Sequence, residues 1–332
     1  MLEENDSKSN KIHGLVLFEE TEIEEEEEFT EEKAAKLEEV SQENKIKLQT
    51  ELKPYGDQYL YRIIVENQSE APITEVKVKV NYPSFLELKR SSPPTVSFDT
   101  NNSNDDDLEH IKIMFDEVSK KDQKRINLFY TPKTLTNGEG ISSVITFVNN
   151  QDLVRVINSK EITIDLSALS IHPKIIPSSN IKKFVAKPDV KRAIKSLGIL
   201  IEDELDLDEI FAQVNLILRM NNFQLIAKDL EKKIVWYFGT ELESKQDILI
   251  IGQINKRKIE WLATSRDPHI LIPLLTMVKQ DFIERLKRLK MIDSPDQIME
   301  LNCKNCGYVL PELPKVGEMV ECTKCHLEQK VW

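Results

Sequence analysis

Short segments in which apolar and polar residues alternate fill much of the first half of the chain, and they constrain the fold more than any other feature. In ITEVKVKV, Val76, Val78 and Val80 alternate with charged residues, which gives an extended strand one apolar and one polar face. Turn-rich stretches such as ENQSEAP and TPKTLTNGEG separate the segments. The other expected strands are 47–52, 59–66, 110–115, 125–130, 141–148 and 161–166. About seven strands without intervening helices predict an antiparallel, immunoglobulin-like β-sandwich over residues 46–170, without the disulfide of antibody domains.

The hydrophobic period becomes helical after a stretch with two prolines and two serines, residues 171–187, which we interpret as a linker. Pro188 opens PDVKRAIKSLG as a first expected helix, and Gly198 can close it. Asp206 or Asp208 caps a second expected helix, DEIFAQVNLILRMNN, which carries a broad apolar stripe.

Four more strands follow these helices, joined by short polar turns: FQLIAKDL, KIVWYFGTEL, DILIIGQI and KIEWLATS. A last helix is expected from Asp267 to about Ile292. This order predicts an α+β domain over residues 188–292, in which helices cover one face of an antiparallel sheet.

All the cysteines lie close to the end of the sequence, in two C-x2-C pairs separated by fifteen residues: Cys303, Cys306, Cys322 and Cys325. This spacing is typical of a zinc ribbon, in which each pair forms a knuckle and four thiolates hold one tetrahedral zinc ion. Gly307 supplies the permissive backbone that a knuckle needs. We therefore predict a structural zinc site in a ribbon over residues 300–332.

Three other interpretations of the cysteines fit the sequence less well. Disulfides require export, yet the opening MLEENDSKSNKIHG has no apolar signal core, so a reducing, cytoplasmic location is expected. The sequence CTKCH, which includes His326, fits c-type haem attachment, but the partner C-x2-C pair favours metal binding. A catalytic zinc usually has His or carboxylate ligands and an open position, so four cysteines favour a structural ion.

The negative charge of the chain is concentrated at its start. Residues 1–45 contain 16 acidic and 5 basic residues, and the remainder contains 41 acidic and 40 basic residues, so the two parts carry −11 and −1 of the total of −12. A glutamate-rich block of this density is typical of a solvated, disordered tail, and we assign residues 1–45 to one. The near-neutral remainder lacks the broad positive footprint of a nucleic-acid-binding protein.

The sequence from about residue 46 to residue 292 resembles the appendage, or ear, domains of clathrin adaptors and of the coatomer. VENQSEAPITEVKVKVNYPSFLEL looks like the second and third sandwich strands of that family. KKIVWYFGTEL and KIEWLATSRDPHILIPLLTMVKQDF resemble the tryptophan-bearing strand, a later strand and the closing helix of its platform subdomain. The order of the two subdomains agrees as well. The cysteine segment, and the lack of a long helical trunk before the sandwich, depart from the family pattern.

The resemblance implies a non-catalytic function, because appendage platforms hold short acidic and aromatic peptide motifs from partner proteins. By position, Trp236 would be the hydrophobic anchor. The resemblance implies a peptide-binding set with aromatic side chains and steering positive charge: Trp236, Phe238, Trp261, Arg257, Lys258 and Arg266. The residues alone also fit core aromatics and solvated surface cations, and those alternatives stay open.

Catalytic signatures are scarce. The sequence has no G-x-G-x-x-G, G-x-x-x-x-G-K-[ST] or G-x-S-x-G motif, and its histidines have no acid or nucleophile partner at a local spacing. We therefore expect a non-enzymatic, cytoplasmic adaptor that docks peptide motifs or coat-like partners, with only indirect membrane association. The alternatives are a zinc-ribbon nucleic-acid or transcription-associated factor and a dimeric scaffold that pairs through edge strands. The oligomeric state stays open.

Overall fold

The structure is a computed structural model that describes residues 44–94, 108–200 and 206–331. Almost all of the predicted acidic tail, residues 1–45, lies outside the described residues. The described chain is built mainly from antiparallel sheets, with three α-helices. None of these helices combines the length and the apolar character needed to cross a membrane.

Two facing antiparallel sheets form the first domain. The first sheet has the order β1-β2-β6-β4, with β1 at Ile46–Tyr55, β2 at Gln58–Asn67, β4 at Leu86–Ser92 and β6 at Asp122–Pro132. The second sheet has the order β5-β3-β7-β8, with β3 at Ile73–Pro83, β5 at Leu108–Val118, β7 at Asn137–Val148 and β8 at Val154–Asn158. A short strand, β9 at Ile162–Asp165, also pairs with β7.

The alternating residues form the core between these two sheets, so the predicted immunoglobulin-like sandwich is confirmed. Val76, Val78 and Val80 are fully buried in one continuous apolar cluster. Strands β4 and β8 were not predicted. In β8 the apolar side chains Val154 and Val156 are exposed and Ile157 packs partly buried against the core, so the apolar residues of this short strand do not mark its buried face.

A seven-stranded antiparallel sheet forms the second domain. Its order is β10-β13-β14-β15-β11-β16, and β12 pairs with β13 beside β10. The strands are β10 at Ile171–Pro173, β11 at Lys191–Ile199, β12 at Gln224–Asp229, β13 at Ile234–Glu241, β14 at Asp247–Asn255, β15 at Lys258–Ser265 and β16 at Ile298–Glu300. The helices are α1 at Ser178–Val185, α2 at Leu207–Met220 and α3 at Leu271–Arg288.

Two predictions for this region need correction. The segment PDVKRAIKSLG is not a helix, because most of it forms β11, an inner strand that pairs with β15 and β16. Its weak helical preference is overridden by the ladders on both sides. The stretch expected to be a linker, residues 171–187, contains β10 and α1, so the second domain begins in that stretch.

Helices cover one face of the second sheet, as predicted. Helices α2 and α3 pack against that face in a large apolar cluster, and Asp206 caps α2 by accepting hydrogen bonds from the backbone N–H groups of Asp208 and Glu209 at 2.9 and 3.2 Å. The additional helix α1 lies on the opposite face, where Phe184 packs against Phe238 and Leu249.

A largely buried cluster of charged side chains connects the sandwich, the second domain and the start of the cysteine-containing segment. The described residues form one compact unit. In it, the Lys195 Nζ atom lies 2.7 Å from Asp57 of the sandwich and 3.0 Å from Glu300, which leads into the cysteine segment. Glu300 also contacts Lys279 of α3 at 2.6 Å and Lys89 of β4 at 3.5 Å. We call these five residues the junction charges.

The cysteine-containing segment, residues 301–331, follows β16 and will be called the cysteine module. It contains a hairpin of β17 at Met319–Glu321 and β18 at Glu328–Lys330, and a bridge between Asn302 and Val309. Leu301, Leu310 and Val320 form its small core together with the cysteines.

Candidate functional site

Four strands of the second sheet place an unbroken row of apolar side chains on the face opposite α2 and α3. The register pairs Trp236 of β13 with Ile251 of β14, Ile251 with Leu262 of β15, and Leu262 with Ile194 of β11. Because residues at directly opposed positions share a face, the four side chains lie side by side across the sheet. Their sequence neighbours, such as Val235, point into the core under α2 and α3.

The short helix α1 covers only one end of this face. Its Phe184 ring contacts Phe238 edge-on, with centroids 5.3 Å apart, and buries it to 1% exposure. Beyond α1, the apolar row lines a groove of about 270 Å³. We call this surface the Trp236 groove; it is formed by Ile194, Ile234, Trp236, Ile251, Gln253, Glu260 and Leu262.

Polar groups close the other end of the groove. The Gln253 side-chain amide donates to the Glu260 carboxylate at 2.6 Å, and the Lys258 ammonium lies 2.9 Å from the same carboxylate. Lys258 is buried and also donates to the backbone carbonyl of Leu310 in the cysteine module at 2.7 Å. The negative charge of Glu260 is therefore offset by a fixed, buried cation.

The structure separates the three aromatic residues that were assigned to peptide binding. Trp236 lies in the groove and is half-buried. Phe238 is on the same face but under α1, and Trp261 is fully buried on the opposite face, 5.1 Å from the ring of Phe282. Phe238 and Trp261 are therefore core residues, because helices cover both of them.

None of the three basic residues assigned to the site lines the groove. Lys258 is buried and paired with Glu260. Arg266 is exposed and lies 3.0 Å from Asp189, and Arg257 is half-buried in the turn between β14 and β15. The expectation of a positive groove wall is therefore corrected, since the charged side chain in the wall is a carboxylate.

Sequence reasoning missed the other members of the apolar row, Ile194, Ile251 and Leu262. Each occupies an alternating position, which is the signal that could have found them. Ile194 was concealed because its strand was assigned to a helix. The register between four strands was also needed to place the residues side by side, and local patterns do not contain it.

The cysteine module brings the four thiols together as the spacing predicts. Their Sγ atoms all lie within 4.8 Å of one another. The Cys303 and Cys325 sulfurs are 3.6 Å apart, and so are those of Cys306 and Cys322. Tetrahedral zinc with Zn–S bonds of about 2.3 Å requires sulfurs about 3.8 Å apart, so the cluster fits this ion. The cysteines are free rather than disulfide-bonded.

The two C-x2-C pairs form equivalent knuckles. The Gly307 N–H donates to the Cys303 carbonyl at 2.8 Å, and the His326 N–H donates to the Cys322 carbonyl at 2.9 Å. Gly307 and His326 both have positive φ angles, 73° and 58°. His326 is thus the turn residue of the second knuckle, and its ring contacts Glu321 at 2.7 Å.

Comparisons with known proteins assign no family. No protein-family model matches the chain, and no curated protein matches it. Solved structures that share some similarity include an uncharacterized immunoglobulin-like protein of Nocardia farcinica, at 14% identity, covering 36% of this chain and 96% of that one, with a TM-score of 0.25. The major pilin subunit BcpA of Bacillus cereus has 11% identity, coverage of 65% and 66%, and a TM-score of 0.26.

The sporulation control protein Spo0M of Bacillus subtilis has 8% identity, coverage of 64% and 75%, and a TM-score of 0.20. At TM-scores this low the similarities carry no functional argument. They also give no support to the appendage resemblance. The fold assignment rests on the strand order and on the shared core of the two sandwich sheets.

Proposed function

We propose that the protein is a non-catalytic interaction protein that binds short peptide segments of partner proteins in the Trp236 groove. The observation that carries this proposal is the in-register apolar row, which none of the helices in the described part of the chain covers, on a sheet whose other face is packed against α2 and α3. An uncovered apolar surface of this kind is typical of a binding site. Its modest volume suits one or two large side chains rather than a whole cofactor.

The electrostatics favour a particular peptide. The groove holds an aromatic or large aliphatic side chain against Trp236 and Ile251. Helix α1, which borders the groove, carries the exposed Lys182 and Lys183, and the exposed Lys187 follows two residues after its end. These cations replace the basic residues expected from the sequence, so acidic residues beside the bound aromatic would be favoured when they point toward α1. An adaptor role at vesicle coats would follow if such motifs belong to coat-associated proteins.

We also propose that the cysteine module holds one structural zinc ion. The four thiolates would supply a complete tetrahedral set, and the ion would fix the two knuckles relative to each other. Such a small module has little apolar core, so metal binding would supply much of its folding free energy. Four free thiols in one cluster also favour a reducing compartment, and the cytoplasm is the location that we propose.

Peptide titration tests the groove. We expect labelled peptides with one Phe or Trp and several acidic residues to bind the wild type weakly. Trp236→Ala should reduce affinity about 30-fold, because truncation of a central aromatic anchor costs about 2 kcal/mol. Fluorescence polarisation of the labelled peptides measures the affinity of the wild type and of the variant. The matched control is Met220→Ala, an exposed apolar residue on α2 far from the row.

Peptides with the aromatic residue replaced by alanine, and a nucleic acid of matched charge, complete the experiment. If folded Trp236→Ala binds as tightly as wild type, the groove is not the site. If only the nucleic acid binds, with strong salt dependence, the alternative of a nucleic-acid-associated factor replaces the peptide proposal.

A further inference from the structure

The sandwich places an arginine directly against the first cysteine knuckle. Arg90 lies on β4, at the edge of its sheet. The pairing of β4 with β6 shifts between Leu88 and Arg90, so that Lys89 has no partner in the ladder. A bulge of this kind redirects the side chains that follow it. The Arg90 side chain crosses Phe129, with its Cζ atom 3.2 Å from the ring centroid.

One donor of the half-buried Arg90 side chain is inaccessible to solvent and unpaired within the described part of the chain. The Nε atom of Arg90 is inaccessible to solvent and has no hydrogen-bond acceptor among the residues that the structure describes. A buried donor without an acceptor is costly, and more so when it is charged. The aromatic rings of Phe129 and Tyr55, at 3.2 and 5.8 Å, stabilise the cation, and the Tyr55 hydroxyl also interacts with the guanidinium, but Nε has no acceptor among the described residues.

Gly307 shows how closely the arginine approaches the knuckle. A Cβ atom at Gly307 would lie 2.7 Å from Nε and 3.2 Å from Cζ of Arg90, so a side chain there would displace the guanidinium. The equivalent position of the second knuckle carries His326, whose backbone also has a positive φ. The knuckle backbone therefore accepts a side chain, and the glycine of the first knuckle is required by Arg90.

The charge of a zinc-loaded cluster would account for a cation at this position. Four thiolates and one Zn²⁺ carry a net charge of −2, and metal-bound thiolates accept hydrogen bonds from neighbouring donors. Lys304 and Lys324 of the module are also positive, but both side chains are exposed. Arg90 is half-buried, and its Nε atom is inaccessible to solvent beside Gly307, so water screens its charge less than that of the two lysines.

We propose that Arg90 is a positioning residue of the metal site: its guanidinium neutralises part of the negative charge of the zinc-bound thiolates and so couples zinc binding to docking of the cysteine module on the sandwich. This inference rests on the proposed zinc site. A lysine would replace it poorly, because an ammonium cannot stack flat on Phe129 and has no planar N–H fork.

The test compares zinc release from the full chain. Zinc-loaded wild type, Arg90→Gln, Arg90→Lys and the control Arg125→Gln are mixed with a chromogenic chelator. Arg125 is an exposed arginine on β6 of the same sheet. We expect one zinc per wild-type chain, release from Arg90→Gln about 10- to 100-fold faster, an intermediate rate for Arg90→Lys and an unchanged rate for Arg125→Gln. Amide exchange should show faster opening of residues 301–331 in Arg90→Gln.

Gly307→Asn provides a second variant that leaves the sandwich sequence intact, because asparagine tolerates a positive φ while its Cβ displaces the guanidinium. Faster zinc release in this variant supports the proposal even if Arg90→Gln fails to fold. Release within twofold of wild type in Gly307→Asn, or in folded Arg90→Gln, overturns it. A wild-type chain that retains no zinc contradicts the zinc proposal itself, and the role of Arg90 is rejected together with it.

Discussion

Trp261 and Trp236 belong to the same sheet, two strands apart, and experience opposite environments. Trp261 is fully buried against Phe282 of α3, whereas Trp236 is half-buried in an open groove. Both lie on alternating strands with aliphatic neighbours. The difference shows that the covering helices, rather than the residue type or its strand, decide whether an aromatic side chain is buried in the core or remains accessible.

Helix length accounts for much of this difference. Helices α2 and α3 have 14 and 18 residues, whereas α1 has 8. Eight residues make a helix about 12 Å long, and four neighbouring strands span about 14 Å between the outer two, before side chains are counted. Since α1 packs over Phe238 and Leu249 at one end of the strands, it leaves the row that contains Trp236 accessible.

The largest effect on stability is expected for Trp261→Ala, which tests whether the two tryptophans differ as described. We expect it to lower the free energy of unfolding by about 3 to 5 kcal/mol, because it leaves a large cavity under α3. Denaturant unfolding followed by circular dichroism measures the loss. Trp236→Ala, which removes the same side chain from the open face, should cost about 1 kcal/mol. Equal losses for the two variants would mean that the faces do not differ in the way described.

Glu300, at the edge of the second sheet, allows a pH-dependent test of how the junction charges stabilise the fold. Burial alone would raise the pKa of Glu300, but Lys195, Lys279 and Lys89 together hold it well below its usual range. Its stabilising contribution is therefore complete above the unfolded pKa of about 4.3 and is lost as the pH falls through the lower folded pKa. We expect Glu300→Gln to cost about 3 kcal/mol at pH 7, because it leaves buried ammonium groups with too little negative charge.

The difference in the free energy of unfolding between wild type and Glu300→Gln should decrease as the pH is lowered from 5 to 2. Denaturant unfolding curves at several pH values in this range measure it. The exposed pair Arg288 and Glu284 on α3 provides the control, since Glu284→Gln should change stability little at any pH. If the difference in the free energy of unfolding does not change with pH, the junction charges do not stabilise the second domain through the Glu300 carboxylate.

The smallest expected effect on stability comes from a comparison of two consecutive residues of β11 that lie on opposite faces of the sheet. Ile194→Thr changes the open face, keeps a β-branched side chain and should cost less than about 0.5 kcal/mol while weakening peptide binding several-fold. Ala193→Val overpacks the covered face and should cost about 1 to 3 kcal/mol without changing the groove. Thermal unfolding and peptide titration of both variants distinguish the faces. Similar stability losses would contradict the assignment of Ile194 to the open face.

Patterns that are local in sequence predicted much of this molecule. The alternation around Val76 and Val78 depends on neighbouring residues, and so does the cysteine spacing, because both describe structures that close within a short stretch. The strand β11 was predicted wrongly, because its conformation depends on distant residues. Ile194 and Leu197 are three residues apart, which suits a helix, and only the ladders with β15 and β16 make the segment extended.

Lys258 shows a second limit. Its position in a short turn-and-strand sequence suggested a solvated cation, but the carbonyl of Leu310, 52 residues later, accepts its hydrogen bond. The Trp236 groove depends on the same kind of distant information, since its four apolar residues come from four strands. Sequence identified Trp236 through a family resemblance, and the register between strands was needed to identify its neighbours.

The alternation of the four strands has an evolutionary consequence. Each residue of the apolar row is flanked along its own strand by residues that face the opposite core, as Ile194 is by Ala193 and Lys195. Single substitutions in the row are therefore expected to cost less stability than substitutions at the flanking core positions. If the row binds peptides as proposed, the peptide preference could change one strand at a time while the packed core stays the same. Related chains that keep the sheet and its helices would then be free to recognise different partners.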